Sequence, residues 1–227
     1  MTRVVGADVA KGSWVFVILE DGKFAGAGVV AHLIQLRQRT GPVEMLALDI
    51  PIGLPEAGVD WPRAADLEAR DFIGPRRSSV FAAPPRRVLN PTVYSKANQL
   101  HQDLTGKGLS RQTWGLRDRI LEAAFYVSEN PTTVEVHPEV CFRAMKGSPL
   151  AQAKKSWNGQ MERRALLHSH GIDLPDHLED AGLVPPDDLL DAAAAAWTAR
   201  RIATGDANVL PGSAAGCSAT RRGVIWY

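Results

Sequence analysis

A chain of 227 residues with 45% hydrophobic and 22% charged residues can bury a sizeable core, which excludes global disorder. The formal net charge is only +1, with no Lys/Arg block, yet the sign is uneven: residues 61–120 hold 11 Lys and Arg against 5 Asp and Glu, and residues 121–192 hold 6 against 12. Cys141 and Cys217 lie far apart and in no metal-type spacing, which predicts neither a disulfide framework nor a cysteine zinc site. With no signal-peptide pattern at the N-terminus, these features predict a reduced, cytoplasmic protein, and no apolar run reaches the ~18 residues of a membrane span.

RVVGADVA, the first apolar run, predicts a short buried strand. SWVFVILE and KFAGAGVV follow, separated by Asp21 and Gly22, a turn pair that joins antiparallel strands. A three-strand antiparallel meander is expected. AHLIQLRQRT predicts a short helix ended by Gly41 and Pro42. VEMLALDIP is apolar throughout, as in a central strand parallel to a neighbour. Beyond it comes a turn-rich loop, then a helix over PRAADLEARDFIG and a proline-rich basic loop over PRRSSVFAAPPRRVLNP. A helix is expected to end at Gly106. A second, amphipathic one has Leu116, Ile120, Leu121, Ala124 and Val127 on one face. TTVEVH predicts a fifth strand, followed by short helices that end near Gly147 and Gly171. PPDDLLDAAAAAWTARRIATG predicts the last long helix, with Asp187 or Asp188 as its cap and Gly205 after it; RRGVIWY predicts an added strand.

This order predicts one α/β domain over residues 1–227. It would be a five-stranded mixed sheet, three antiparallel strands and two parallel ones, with helices on both faces and insertions at about 50–115 and 138–186. Insertions at strand ends are where loops carry function.

Four acids stand out. Asp8 and Asp49 close apolar runs, where an unpaired carboxylate is costly to desolvate. Asp188 and Asp191 are one helical turn apart, so they share a face and repel unless a cation joins them. Each has an ordinary alternative: a turn cap for Asp8, a loop initiator for Asp49, and favourable placement at a helix N-terminus for Asp188. Converging, they would make an oxygen-ligand site suited to Mg²⁺ or Mn²⁺. Two such ions can activate a water and relieve charge on the leaving oxygen of a phosphodiester. Glu135 lies mid-strand, with His137 on the same face; it would complete the metal shell or form a buried pair with Arg70 or Arg76. Arg70, Arg76, Arg77, Ser78 and Ser79 would bind phosphate oxygens or form a solvated basic loop, with Lys146, Lys154 and Lys155 as weaker candidates of the same kind.

The strand order, with acids on strands one and four and on the last helix, resembles the ribonuclease H-like fold. The Asp188-Leu-Leu-Asp191 pair also resembles that of Holliday-junction resolvases. The blocks GADVAKGSWV, LALDIPIGLP, EARDFIGPRRSSVFAAPPR, VEVHPEVCFRAMKG and DDLLDAAAAAWTA are similar to those of an uncharacterised family of predicted ribonuclease H-like nucleases. The resemblance covers nearly the whole chain. It implies a divalent-metal-dependent nuclease acting on DNA or RNA by a two-metal mechanism. The alternatives are a non-catalytic nucleic-acid-binding or interaction module on the same fold and, less favoured, a phosphotransferase of the actin and sugar-kinase superfamily, which would require a second lobe and a glycine-rich phosphate hairpin.

Overall fold

The computed structural model describes residues 2–56, 58–218 and 220–227. Strands β1 (Arg3–Ala10), β2 (Ser13–Glu20) and β3 (Lys23–Val30) form the antiparallel meander, and β4 (Met45–Leu48) and β5 (Thr133–Glu135) lie parallel to β1 on its other side. The sheet order is β3-β2-β1-β4-β5. The eight α-helices among the described residues are α1 (Leu36–Thr40), α2 (Ala64–Ile73), α3 (Tyr94–Thr105), α4 (Arg111–Gly115), α5 (Arg117–Glu129), α6 (Pro138–Lys146), α7 (Trp157–Ser169) and α8 (Pro186–Thr204). This mixed sheet with helices on both faces matches the expected ribonuclease H-like architecture.

The strand period of two sorts side chains between two cores. Val4, Val15, Val17, Met45, Ala47 and Val134 face the side covered by α6, α7 and α8. Val5, Ala7, Phe16, Leu46 and Leu48 face the other side, where Leu36 of α1 and Ile120, Ala123 and Val127 of α5 cover them. The buried stripe of α5 therefore runs through Ala123, while Leu121 and Ala124 sit at its margins.

Several boundaries differ from expectation. Helix α1 is preceded by a 3-10 turn over Leu33–Gln35, and this turn exposes Ile34. Helix α8 starts at Pro186, whose fixed φ suits a first-turn position, so Asp187 and Asp188 occupy the first turn instead of capping it. The basic loop contains 3-10 turns over Gly74–Ser79 and Arg86–Leu89. The C-terminal strand, β7 (Ile225–Trp226), pairs mainly with β6 (Val209–Leu210) and touches the large sheet through one parallel bridge between Val136 and Trp226. The Gly223 amide also donates to the Ile52 carbonyl at 3.1 Å, which ties the chain end to the loop after β4.

Helix α8 lies directly against β1. Ala192–Ala196 are fully buried, and a Cβ on Gly6 would lie 2.0 Å from the Ala196 amide nitrogen and 2.3 Å from the Ala192 carbonyl oxygen. Both are backbone atoms, so neither can rotate aside. Gly6→Ala is expected to force α8 off the sheet and to lower the unfolding free energy by about 3 kcal/mol. Urea denaturation checks this; a loss below about 1 kcal/mol would show that the helix can yield.

A candidate metal centre at the end of strands one and four

The parallel pairing of β1 with β4 runs from Val4 opposite Met45 to Ala7 opposite Leu48. Asp8 and Asp49 are the next residues on each strand, and the Asp49 amide donates to the Ala7 carbonyl at 2.9 Å. Alternation places both side chains on the α8 face, with Val4, Met45 and Ala47. Asp191 precedes the alanines that rest on Gly6. It therefore enters the same place from the helix. One carboxylate oxygen from each of Asp8, Asp49 and Asp191 lies within 4.8 Å of the others.

These acids are poorly hydrated. Asp191 is 1% exposed and Asp8 7% exposed, while Asp49 forms part of the floor of an open cleft, partly accessible yet surrounded by protein. Burial, followed by the charges of Asp49 and Asp191, raises the Asp8 carboxyl well above the usual carboxylate range. Burial pushes Asp49 up to about 7; Lys154 opposes the rise, and Asp188 and Glu139 add to it. Burial likewise pushes Asp191 up to about 7 against the pull of Lys154. The partners are few. Asp8 Oδ1 accepts from the Val9 amide at 2.6 Å, and Asp191 Oδ2 accepts from Lys154 Nζ at 2.5 Å. Asp191 Oδ1 is buried with no hydrogen-bond partner. Three converging carboxylates, one of which has a buried and unpartnered oxygen, suit a Mg²⁺- or Mn²⁺-type cation.

Asp188 stands apart from this group. It is half-buried on the rim of the cleft, and burial, then Asp187, raises its pKa. Asp187 is the more buried of the two and lies 3.9 Å from Lys154 Nζ. The cleft encloses about 300 Å³, and Ser78, Ser79, Phe81 and His137 form part of its wall. Burial lowers the pKa of His137, whose Nδ1 has no hydrogen-bond partner.

The expected partner of Glu135 needs correction. Glu135 pairs across β5 and β4 with Leu48, whose side chain belongs to the opposite core, so register turns it away from the three acids. Its two oxygens accept from Arg63 Nη1 and Nη2 at 2.8 and 2.6 Å, and the Ile52 amide donates to it at 2.5 Å. Arg63, and neither Arg70 nor Arg76, is its cation. Arg63 also binds Asp66, which accepts from the Ala83 amide at 3.0 Å. This buried network locks the loop after Asp49 to α2 and β5.

The basic residues divide in the same way. Arg70 donates to the Val80 carbonyl at 2.9 Å. Arg76 donates to the carbonyls of Leu150 and Ala151, and its Nε lies 3.8 Å from Glu139 Oε2. Glu139 also pairs with the fully buried Arg163. Lys146 binds Glu162 and the Pro149 carbonyl. These three cations are held by internal partners. Arg77, Ser78 and Ser79 remain exposed, and the two serines border the cleft.

The fold and the site define a mixed α/β protein with a triad of acids, two buried and one partly accessible, at the sheet's rim. The chain belongs to the family described as "Protein of unknown function (DUF429)", which matches residues 6–215. No curated protein and no solved structure matches it. No helix among the described residues is long and apolar enough to cross a membrane.

The raised carboxyls set a pH dependence. Asp49 and Asp191 titrate near 7 in the folded chain and near 3.8 when unfolded. The folded state therefore holds protons through that window that the unfolded state releases, so stability falls as pH rises from about 4 to 7 and levels off above it. Buried Glu135, pushed up to about 7 by desolvation against the pull of Arg63, acts in the same direction. Thermal unfolding in chelator is expected to show Tm falling by at least about 5 °C between pH 5 and 8, with millimolar Mg²⁺ recovering most of the loss. A Tm that is flat or rising in chelator contradicts this electrostatic picture.

Proposed function

We propose that the protein is a divalent-metal-dependent nuclease that hydrolyses phosphodiester bonds in nucleic acid. The observation that carries this reading is the convergence of carboxylate oxygens of Asp8, Asp49 and Asp191 within 4.8 Å, in a centre where Asp191 Oδ1 is buried without a partner. Such a centre fits a hard divalent cation, and its position at the sheet rim of a ribonuclease H-like architecture supports phosphodiester chemistry. The cation would supply activation of a water nucleophile and relief of charge on the leaving oxygen.

The chain's own residues would divide the remaining work. Asp8, Asp49 and Asp191 would hold the cation, and Asp188, at the rim of the cleft, would accept a hydrogen bond from a water there. Ser78, Ser79 and Arg77 hold the phosphate backbone beside the cleft. The Arg63–Glu135–Asp66 network keeps the loop after Asp49 rigid, so that the Asp49 carboxylate is presented in one orientation.

Asp8→Asn and Asp191→Asn are each expected to reduce Mg²⁺-dependent cleavage of DNA and RNA oligonucleotides to background. Asp8→Asn retains the acceptor for the Val9 amide and is expected to raise the Tm of the metal-free protein at pH 8, because it removes a repelled buried charge. Full cleavage by either folded variant would remove the proposed centre from catalysis.

The two neighbouring arginines should separate in binding assays. Arg77→Ala is expected to weaken nucleic-acid binding and to flatten the salt dependence of log K by about 0.7–0.9 in slope. Arg76→Ala should leave the slope unchanged and lower stability, because it strips Glu139 of one of its cations. Equal slopes for wild type and Arg77→Ala, measured on folded protein, would exclude a phosphate contact at Arg77.

A further inference from the structure

Lys154 stands on the loop between α6 and α7, 36% exposed, and reaches into the acidic centre. Its Nζ donates to Asp191 Oδ2 at 2.5 Å and lies 3.9 Å from Asp187 Oδ2. By sequence Lys154 is a weaker phosphate-binding candidate, yet in the fold it contacts carboxylates.

The two oxygens of Asp191 therefore have different surroundings. Oδ2 is occupied by the ammonium, and Oδ1 is buried without a partner. A centre holding two divalent ions about 3.5–4 Å apart needs carboxylate oxygens for both. Here the flank of Asp191 facing Asp187 already carries a positive charge, supplied by the chain. Oδ1 remains without a partner, and one carboxylate oxygen of Asp191 lies within 4.8 Å of an oxygen of Asp8 and of Asp49.

We propose that the centre takes one divalent cation, held by Asp8, Asp49 and Asp191 Oδ1, and that the Lys154 ammonium permanently fills the position of a second. Lys154 is thus the residue that determines metal stoichiometry. This deepens the nuclease reading and rests on its metal site. It also replaces the two-ion expectation with one ion and one ammonium. A lysine tied to the protein delivers that charge without depending on metal concentration, and leaves the site with a single cation affinity.

The test is metal binding itself, followed by calorimetric titration with Mn²⁺ and by counting bound Mn²⁺ after gel filtration. The wild-type chain is expected to bind one Mn²⁺, Lys154→Arg also one, and Lys154→Met two. Lys154 lies on a partly exposed loop, and circular dichroism of Lys154→Met checks that the fold is kept. Two ions in the wild type overturn the proposal whatever the variants do. One ion in both wild type and folded Lys154→Met overturns it while leaving the metal site standing. No Mn²⁺ in any of the three proteins overturns the metal reading, and this inference with it.

Discussion

Helix α8 lies on β1 with no side chain between them at Gly6, and the rest of the site follows from that contact. A helix resting on alanines and a glycine approaches the sheet more closely than one resting on leucines or valines. Asp191 sits immediately before the alanine stretch, so the same approach brings its carboxylate down to the level of Asp8. The parallel register of β1 and β4 brings Asp49 beside Asp8 in the same stroke. Backbone packing, and no attraction among the acids, assembles the triad. The acids repel and are desolvated there, so the packing works against electrostatics.

That opposition gives the site its character. A centre assembled against its own charge is poised for a cation, since binding one releases energy already stored in the fold. Lys154 offsets part of this repulsion through its contact with Asp191. The surroundings are arranged for rigidity. Arg63 joins Glu135 and Asp66 beneath the loop that follows Asp49, and Arg163 and Arg76 flank Glu139 on α6. Breaking such buried pairs by removing one partner is costly, which makes these networks effective struts. The chain end adds another strut, through Gly223 on the Ile52 carbonyl and Trp226 beside Val136.

Much of this is readable in the amino-acid order, because it depends on local pattern. The Asp21-Gly22 turn, the unbroken apolar run before Asp49 and the alanines after Asp191 each carry a strong local signal, and together they indicate the sheet, two acids at its rim and a third on the helix that covers it. What depends on pairings between distant segments is less legible. Glu135 has the correct strand, but its face is decided by the register of β5 against β4, where a shift of one residue reverses every side chain. Arg63 follows a proline at a helix start and looks like any solvated first-turn residue, yet it is the buried cation of that region. Lys154 and Glu139 carry no pattern of their own, since their roles arise from loops and helices packed across the sheet's rim. The excess of arginine over residues 61–120 suggests a polyanion surface, but Arg63, Arg70 and Arg76 are taken up by internal acids and carbonyls.

The central claim is that three carboxylates, brought together by backbone packing, form a divalent-cation site. It is tested most directly by a crystal structure of the protein soaked in Mn²⁺, with the ion located by its anomalous scattering. The account predicts an anomalous peak bound by carboxylate oxygens of Asp8, Asp49 and Asp191, with Lys154 still on the other oxygen of Asp191. A well-ordered acid triad with no peak at saturating Mn²⁺, or ions confined to surface carboxylates, would contradict it.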